Sequence, residues 1–446
     1  MDPSTIENRR LTIRPVLALA VCLVVASRAA SAPGPPASAP AIPVTGSAVA
    51  GMESFDRLML DFLAATKAPG AALAVGRNGR LLYARGFGWA DVQARQAVQA
   101  DSLFRIASLS KPITAVAVLQ LVQAGRLGLD DRVADLLKLP LDSACDGRWR
   151  QITVRHLLQH SGGFDRRGGD PMFLSRPIAQ AAGAASPATA AQIIAYMTRQ
   201  KLDFDPGSRS AYSNFGYCLL GRVIEKVTGR SYAAHVRQAV LEPCGGRSMR
   251  LGRSLAEDRA AGEVRYYSIR RSTGESVFGP PGRTVPGPYG TFCLEAMDSH
   301  GGWLASAGDL VRFAMALDRP SCAGGKCLLS SGALETLFAP PLLKPPTSQA
   351  ASGPDAPKVY YACGWLVRHV GRNKINTWHN GGLSGTSTLL VRRHDGWVWA
   401  ALFNSDFDAD GRWLSGRLDH LVHGAADRSA SALDRPEHTP QPPDKE

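Results

Sequence analysis

A serine and a lysine stand three residues apart at the start of a long apolar segment, at Ser108 and Lys111. On a helix this spacing brings the lysine amine beside the serine hydroxyl. A serine hydroxyl becomes a nucleophile when a base takes its proton, and a lysine can be that base once burial or a nearby cation lowers its pKa. The pair therefore predicts a lysine-activated serine nucleophile. The alternative is a capping serine beside a lysine that extends to solvent.

The surroundings of the pair favour the catalytic interpretation. The chain has ten lysines against 41 arginines, and Lys111 is the only lysine with a serine three residues before it. Pro112 suits the first turn of a helix, whose N–H groups lack partners. The run 113–122 is apolar on nearly all sides, which predicts a helix buried in the core.

A second pair of polar residues, Tyr212 and Asn214, precedes an apolar helix predicted over 215–227 and ended by Gly229. A tyrosine hydroxyl near a lysine can relay a proton, and an asparagine amide can orient the lysine and hold a substrate carbonyl. The simpler alternative makes Asn214 a helix cap and Tyr212 a packed aromatic residue.

A third group follows a histidine. Five histidines stand two residues before a glycine, so position must distinguish them: His160, His300, His369, His379 and His394. Only His379 lies on a predicted sheet edge followed by small residues, Gly381 and Gly382, where backbone can approach a ligand closely. A backbone N–H there, with that of Ser108, would bind the oxyanion of an acyl-transfer intermediate.

Two other kinds of site are disfavoured. His156 and His160 have the spacing of zinc ligands on a helix, but the glutamate that zinc proteases carry beside the first histidine is absent. No Gly-x-Ser-x-Gly sequence is present, which argues against an esterase of the α/β-hydrolase type. We therefore do not expect zinc at these histidines.

The elements that must position these residues come from both ends of the chain. A helix is predicted over 54–66, and strands 71–76 and 80–86 are joined through Asn78-Gly79, a strong hairpin signal. The middle, to about residue 330, is mainly helical. Further strands and a closing helix are predicted at 358–370, 375–379, 387–393, 397–403 and 412–422. One antiparallel sheet with an inserted helical lobe is expected, and the Ser-Lys helix should lie between them.

The two termini are predicted to lie outside the fold. Residues 1–32 read as a signal peptide, with arginines before the apolar run 16–26 and small residues after it. Residues 33–52 form a Pro/Ala-rich linker, 53–426 the folded domain and 427–446 a disordered tail. A periplasmic or secreted protein follows, with an uncleaved membrane anchor as the alternative.

Charge and cysteines limit the partners. The net charge of +13 is spread along the chain without a basic run, so no nucleic acid is expected, although an association with an anionic cell envelope stays open. No specific protein partner is inferred. Cys322 and Cys327 could close a small disulfide loop, while Cys218 lies in an apolar helix and reads as a packed free thiol.

The ordered motifs Ser108-x-x-Lys111, Tyr212-x-Asn214 and His379-x-Gly381 resemble those of serine hydrolases related to class C β-lactamases and D-Ala-D-Ala carboxypeptidases. The resemblance covers roughly residues 53–423. Five further segments are similar to the family's sequence: 69–72, 104–111, 152–163, 301–310 and 361–365.

The resemblance implies both a fold and a set of roles, and it implies no metal and no organic cofactor. The fold class is α/β (α+β), β-lactamase/transpeptidase-like, with an antiparallel sheet flanked by N- and C-terminal helices and an inserted, mainly helical lobe. By the family's pattern, Ser108 would be acylated, while Lys111 and Tyr212 transfer protons. The substrate-binding groups would be Asn214, His379, Gly381 and Gly382, with the N–H groups of Ser108 and Gly382 as the oxyanion hole.

The third motif departs from class C β-lactamases, which carry Lys-Thr-Gly where this chain has His-Asn-Gly. A neutral histidine lacks the fixed charge that a lysine offers to a substrate carboxylate. The expected function is hydrolysis of a peptide-like (D-amino-acid), ester or β-lactam bond through a Ser108 acyl-enzyme, with carboxypeptidase or esterase activity favoured over efficient β-lactamase activity. The alternative is a recognition domain that binds penicillin or peptidoglycan without turnover.

Overall fold

A nine-stranded sheet, antiparallel throughout, forms the centre of the fold. The structure is a computed structural model that describes residues 41–268, 272–318, 327–343 and 359–434. Its strands are β1 Val44–Thr45, β2 Gly70–Arg77, β3 Arg80–Asp91, β4 Gln96–Ala97, β5 Phe104–Arg105, β6 Arg250–Leu251, β7 Thr273–Glu275, β8 Thr284–Pro286, β9 Trp303–Ala305, β10 Val359–Tyr361, β11 Leu366–Gly371, β12 Lys374–Leu383, β13 Thr386–Arg392 and β14 Trp397–Phe403.

Helices cover both faces of this sheet. They are α1 Glu53–Thr66, α2 Ser110–Gln123, α3 Val133–Leu137, α4 Val154–Leu158, α5 Ser175–Ala181, α6 Ala190–Thr198, α7 Asn214–Thr228, α8 Tyr232–Val236, α9 Ala307–Met315, α10 Ser331–Phe338 and α11 Leu414–Leu433. Single 3₁₀ turns connect several of them, and a π-helical turn over Arg237–Leu241 follows α8.

The sheet is assembled from both ends of the chain, as predicted. Its order is β1-β3-β2-β14-β13-β12-β11-β10, so the early hairpin pairs with the last strand through β2 and β14. The hairpin turn forms at Asn78 and Gly79, whose φ values of 52° and 77° are those that Asn-Gly tolerates best. The predicted helix over 54–66 is α1.

The two faces of β2 show how the layers form. Leu73 and Val75 belong to a core shared with α1 and α11, whereas Ala72 and Ala74 belong to the larger core of the helical lobe. Because successive strand residues point to opposite faces, a fully apolar strand such as β2 is buried on both sides. The α2 helix lies within the larger core, with residues 110–119 all buried.

Three predicted boundaries are wrong. The strand predicted over 358–370 is divided into β10 and β11, because Gly364 has a φ of +78° and a Cβ there would lie 3.0 Å from Lys111 O. The linker predicted to 52 ends earlier, since β1 pairs with β3. The folded part extends past its predicted limit of 426, because α11 continues to Leu433.

The C-terminal difference comes from small residues. The α11 helix continues to Leu433, and Ser429 Oγ is hydrogen-bonded to Ser54 Oγ of α1 at 2.8 Å. Asp434 then pairs with Arg77 of β2 at 2.8 Å. Alanine and serine allow α1 and α11 to approach closely. Because these residues give little hydropathy signal, the last part of α11 was not predicted from the sequence.

Several predictions concern residues that the structure does not describe. The signal peptide at 1–32 and its apolar run 16–26 lie outside the described residues. Within the described ranges, no helix combines the length and the apolar character that a bilayer crossing requires. Cys327 is disulfide-bonded, and its predicted partner Cys322 lies outside the described residues. Cys218 is a buried free thiol, as predicted.

Candidate active site

A strained turn presents Ser108 at the start of α2. Residues Ala107–Leu109 form a 3₁₀ turn, and Ala107 has a φ of 49°, which is rare for a residue with a side chain. Two hydrogen bonds hold the turn: Ser110 Oγ donates to Ala107 O at 2.7 Å, and Thr388 Oγ1 of β13 donates to Ile106 O at 3.0 Å. Such strained backbone persists where the surroundings fix it, and it is concentrated at functional sites.

Lys111 lies directly behind Ser108 and is completely buried. Its Nζ is 3.1 Å from Ser108 Oγ, 2.7 Å from Asn214 Oδ1 and 3.0 Å from the His300 carbonyl oxygen. Burial lowers the pKa of Lys111 well below its usual value of 10.5, the charge of Asp170 opposes this shift, and the charge of Arg166 adds to it. The predicted proximity of Ser108 and Lys111 is confirmed by these contacts.

The three contacts of Lys111 fit a neutral amine. A neutral lysine has two N–H donors and one lone pair, whereas the carbonyl oxygens of Asn214 and His300 can only accept. With both donors directed at these two oxygens, the lone pair is left for the Ser108 hydroxyl. The geometry thus allows Ser108 to donate its proton to Lys111.

Asn214 is fixed from two sides. Its Oδ1 accepts from Lys111, and its Nδ2 donates to Asp170 Oδ2 at 2.6 Å. The helix cap of α7 is Ser213, whose Oγ accepts from Gly216 N at 3.1 Å. Asn214 is therefore free of the capping role that the sequence left open.

Tyr212 lies on the other side of Ser108. Its hydroxyl interacts with the Ser108 side chain, and its ring centroid is 4.8 Å from Lys111 Nζ. Burial raises the pKa of Tyr212, while the interaction with Ser108 and the charge of Arg166 oppose the shift. The Arg166 guanidinium carbon is 4.7 Å from the same ring centroid, so the Tyr212 ring contacts both basic side chains.

His379 reaches the cleft from β12, but both of its nitrogens are engaged within the protein. Nδ1 is 2.7 Å from Asn380 O, and Nε2 is 3.0 Å from the Tyr361 hydroxyl. A carbonyl oxygen accepts only, so Nδ1 carries the proton and Nε2 accepts from Tyr361. Burial, with the charge of Lys111, lowers the pKa of His379 to about 3. His379 is therefore uncharged at neutral pH.

Close contacts at Gly381 and Gly382, the two glycines that follow the His379-Asn380 pair, leave no room for a side chain. A Cβ at Gly381 would lie 2.2 Å from Thr388 Oγ1 and 2.5 Å from Ile106 O. A Cβ at Gly382 would lie 2.6 Å from the ring of Trp413, which covers this part of β12. The end of β12 can therefore approach the Ser108 turn only because Gly381 lacks a side chain, and Trp413 can cover β12 only because Gly382 lacks one.

An open cleft of about 560 Å³ brings most of these groups together. Five predicted site residues line it, while Lys111 and Asn214 are not among its described lining residues. Its described lining is Ser108, Arg166, Tyr212, Tyr361, Leu366, His379, Asn380, Gly381, Gly382, Trp413, Ser415 and Gly416. Arg166, Asp170, Tyr361 and Trp413 were missed from sequence because no motif spacing marks them.

The two histidines considered as zinc ligands have other contacts. His156 Nδ1 accepts from Thr153 N at 3.2 Å and completes the cap of α4. His160 follows the end of that helix with a φ of 55°, and its Nδ1 accepts from Ser213 N at 3.2 Å. Among the described residues, no group of three or more His, Cys, Asp or Glu side chains is placed to hold a metal ion.

The comparison with known families agrees with this geometry. The model of the family described as Beta-lactamase matches residues 55–421. The chain belongs to the beta-lactamase family. The matched range includes the Ser108 turn, the Tyr212–Asn214 segment and the end of β12, so the fold and the motif order are those of this family.

Relatives within the beta-lactamase family carry different names. Penicillin-binding protein 4* of Bacillus subtilis (strain 168) is 28% identical over 326 residues, which are 71% of this chain and 64% of that protein. Esterase EstB of Burkholderia gladioli is 35% identical over 190 residues, which are 40% of this chain and 46% of the esterase. The chain thus spans about half to two thirds of the length of these relatives.

Solved structures show the same fold. A D-stereospecific amidohydrolase from Streptomyces sp. has a TM-score of 0.57 and 25% identity, covering 84% of this chain and 97% of that one. A D-amino acid amidase from Ochrobactrum anthropi SV3 has a TM-score of 0.62 and 22% identity, covering 86% and 98%. The beta-lactamase fold therefore extends over nearly all of these two proteins.

Proposed function

We propose that this protein is an exported serine hydrolase that acts through an acyl-enzyme formed on Ser108. The observation that carries the proposal is the buried Lys111, whose Nζ lies 3.1 Å from Ser108 Oγ with its other two contacts made to acceptor-only oxygens. A serine held against a desolvated lysine amine of lowered pKa is the arrangement that makes a hydroxyl nucleophilic.

Acylation begins with proton transfer from Ser108 to Lys111. Ser108 Oγ attacks the substrate carbonyl carbon, an O–C bond forms, and the proton passes to Lys111 Nζ. Tyr212, whose hydroxyl interacts with Ser108, belongs to the same proton path. When the tetrahedral intermediate collapses, the bond to the leaving group breaks, and the leaving atom receives the proton from the Lys111–Tyr212 pair.

The oxyanion of that intermediate is bound by the backbone N–H groups of Ser108 and Gly382. The strained turn at Ala107 and the glycine-dependent approach of β12 support this assignment, because they bring the two backbone segments together. A water molecule then attacks the acyl-enzyme, its proton returns through the same pair, and free Ser108 is regenerated with release of the acid product.

The substrate class is a peptide-like bond to a D-amino acid or an ester. The relatives include a penicillin-binding protein, an esterase and a D-stereospecific amidohydrolase, all consistent with acyl transfer. The uncharged His379 argues against an efficient β-lactamase of the class C type, since that motif lacks its fixed positive charge. Export to the periplasm or outside the cell rests on the sequence of residues 1–32.

Intact-mass spectrometry tests the acyl-enzyme. The mature protein is mixed with p-nitrophenyl acetate or benzylpenicillin and sampled over time, alongside the Ser108→Ala variant. We expect an adduct of the acyl mass that forms and decays on the wild type and is absent from Ser108→Ala. An adduct that never decays would instead indicate binding without turnover. Wild-type turnover by Ser108→Ala would overturn the mechanism.

A further inference from the structure

Arg166 differs from the other described residues of the cleft in its charge. It is exposed in the turn Arg166–Gly168, and among the described lining residues it alone has a permanently charged side chain. It also lines an adjoining cavity of about 510 Å³, whose wall includes Asp170 and Asn214. Arg166 thus lines both the cleft and the adjoining cavity.

The charge of Arg166 has no counter-ion within the described part of the chain. The neighbouring Asp165 pairs with Arg167 at 2.7 Å and with Arg209 at 3.0 Å, and no described carboxylate lies within 4.0 Å of the Arg166 guanidinium. An unpaired arginine is ordinary on an open surface. The Arg166 guanidinium instead lies over the ring of Tyr212, and the Tyr212 hydroxyl interacts with Ser108, so one aromatic ring separates this charge from the reacting serine.

We propose that Arg166 is the specificity-determining residue of this cleft, and that it binds a carboxylate on the leaving group of the substrate. The inference rests on the proposed function, in which Tyr212 and Lys111 protonate the leaving atom. Arg166 lies against Tyr212 and hence on the leaving-group side. Its planar guanidinium can bind a carboxylate through two parallel hydrogen bonds.

His379 leaves this role open. Its two nitrogens are used by Asn380 O and the Tyr361 hydroxyl, so it offers a substrate carboxylate neither a charge nor a free donor. Binding of an anion would also help catalysis. Burial dominates the pKa of Lys111, and the Arg166 charge lowers that pKa further, so a bound carboxylate that offsets this charge makes Lys111 a stronger base.

A matched pair of esters tests the proposal. 3-Acetoxybenzoate and its methyl ester have the same scissile bond, but only the first has a carboxylate on the leaving group. Steady-state kinetics are measured for wild type, Arg166→Gln, Arg166→Lys and the control Arg167→Gln. Arg167 is exposed, pairs with Asp165 and lies outside the described lining of both cavities.

We expect Arg166→Gln to lower kcat/KM for the carboxylate ester by roughly 10- to 100-fold, mainly through KM, as for loss of a hydrogen bond to a charged group. The methyl ester should change by less than about threefold, as for a surface charge. Arg166→Lys should retain part of the preference, and Arg167→Gln all of it. Added salt should weaken the wild-type preference, since a partly exposed charge is screened.

Two results would overturn the proposal. One is a wild type that does not prefer the carboxylate ester, and the other is an equal loss on both esters in Arg166→Gln, which would indicate a general effect on the proton path. Failure of the proposed function is distinguishable, because it appears as hydrolysis of neither ester or as unchanged hydrolysis by Ser108→Ala.

Discussion

The Asp170 carboxylate accepts a hydrogen bond from Asn214 Nδ2 at 2.6 Å, and this contact directs Asn214 Oδ1 toward Lys111 Nζ. Asp170 also receives a hydrogen bond from Met172 N at 3.1 Å, which fixes the carboxylate at the start of a short turn. The turn that begins at Asp170 and the start of α7 at Asn214 are thereby connected to the buried Lys111 amine. Asp170 acts on Lys111 through Asn214 and through its charge, so it is a positioning residue.

Replacing Asp170 separates these two effects. Asp170→Asn keeps an oxygen that can accept from Asn214 but removes the negative charge. In the wild type, that charge raises the Lys111 pKa and so opposes the effect of burial. The Lys111 pKa should fall further, and the acid limb of kcat/KM should move to lower pH because Lys111 must be neutral to act as a base. Asp170→Ala should also lose roughly 10-fold or more in kcat as the amide becomes free to rotate.

The pH dependence of kcat/KM is the measurement, with Asp205→Asn as the control. Asp205 is exposed and pairs with Arg148. An acid limb that stays in place or moves to higher pH in Asp170→Asn would contradict the electrostatic role assigned to Asp170.

Replacing Lys111 should affect both rate and stability. Lys111→Met removes the base, and the rate should fall by about 10²–10⁴-fold. The folded state lowers the pKa of Lys111 below 10.5, so between these two pKa values the unfolded chain binds more protons, and wild-type stability rises with pH. Lys111→Met lacks this term. Its stability relative to wild type should therefore fall as pH rises from 7 toward 10.

Urea unfolding of both proteins at several pH values measures this difference. Lys226→Met, which changes an exposed lysine on α7, is the control and should follow wild type. Parallel curves for Lys111→Met and wild type would mean that Lys111 titrates equally in the folded and unfolded states.

The lowered pKa of His379 predicts how the stability of the protein changes in acid. Its pKa falls from 6.5 to about 3 on folding, so the unfolded chain takes up a proton in that window while the folded state does not. Stability from this group is complete above pH 6.5 and is lost as the pH falls toward 3, by at most on the order of 3–5 kcal/mol. His379→Asn should therefore lose less stability than wild type between pH 7 and pH 4.

Thermal unfolding at fixed ionic strength measures the effect, and His160 and His300 remain in both proteins. The acid limb of kcat/KM should be unchanged in His379→Asn, because His379 does not titrate in the working range. A shift of that limb toward lower pH would show that His379 carries a catalytic proton.

The sequence predicted features that depend on neighbouring residues, but it did not predict contacts between distant segments. Asn78-Gly79 predicted its hairpin because a two-residue turn depends on those residues alone. The Ser108–Lys111 contact followed from helical spacing. Arg166 and Asp170 gave no such signal, since short 3₁₀ turns place them and their partners are residues 212 and 214, more than 40 positions away.

His379 was found from sequence, but its contacts were not. Its position before Gly381 and Gly382 identified the strand end, and its neutral state at neutral pH was expected from its ordinary pKa. The Tyr361 hydroxyl that occupies Nε2 comes from β10, whose boundary depends on Gly364 and the close approach of α2. Packing between distant elements therefore decided what this side chain can do.

Gly381 ties the fold directly to the Ser108 turn. In Gly381→Ala the new Cβ would lie 2.2 Å from Thr388 Oγ1 and 2.5 Å from Ile106 O, so β12 and the turn must separate. We expect a loss of about 1–3 kcal/mol in the free energy of unfolding, as for overpacking. Activity should fall more than stability predicts, because the displaced Ile106 precedes the strained Ala107 and the nucleophile.

The control for this variant is Gly332→Ala in α10, where a Cβ would meet nothing within 4 Å. That change should be neutral or should stabilise the helix by up to about 1 kcal/mol, without loss of activity. Chemical denaturation and ester hydrolysis, measured at a temperature where both variants are fully folded, separate the two effects. If folded Gly381→Ala kept the wild-type rate, the glycine would be needed for packing alone. Displacement of β12 from the Ser108 turn would then leave activity unchanged.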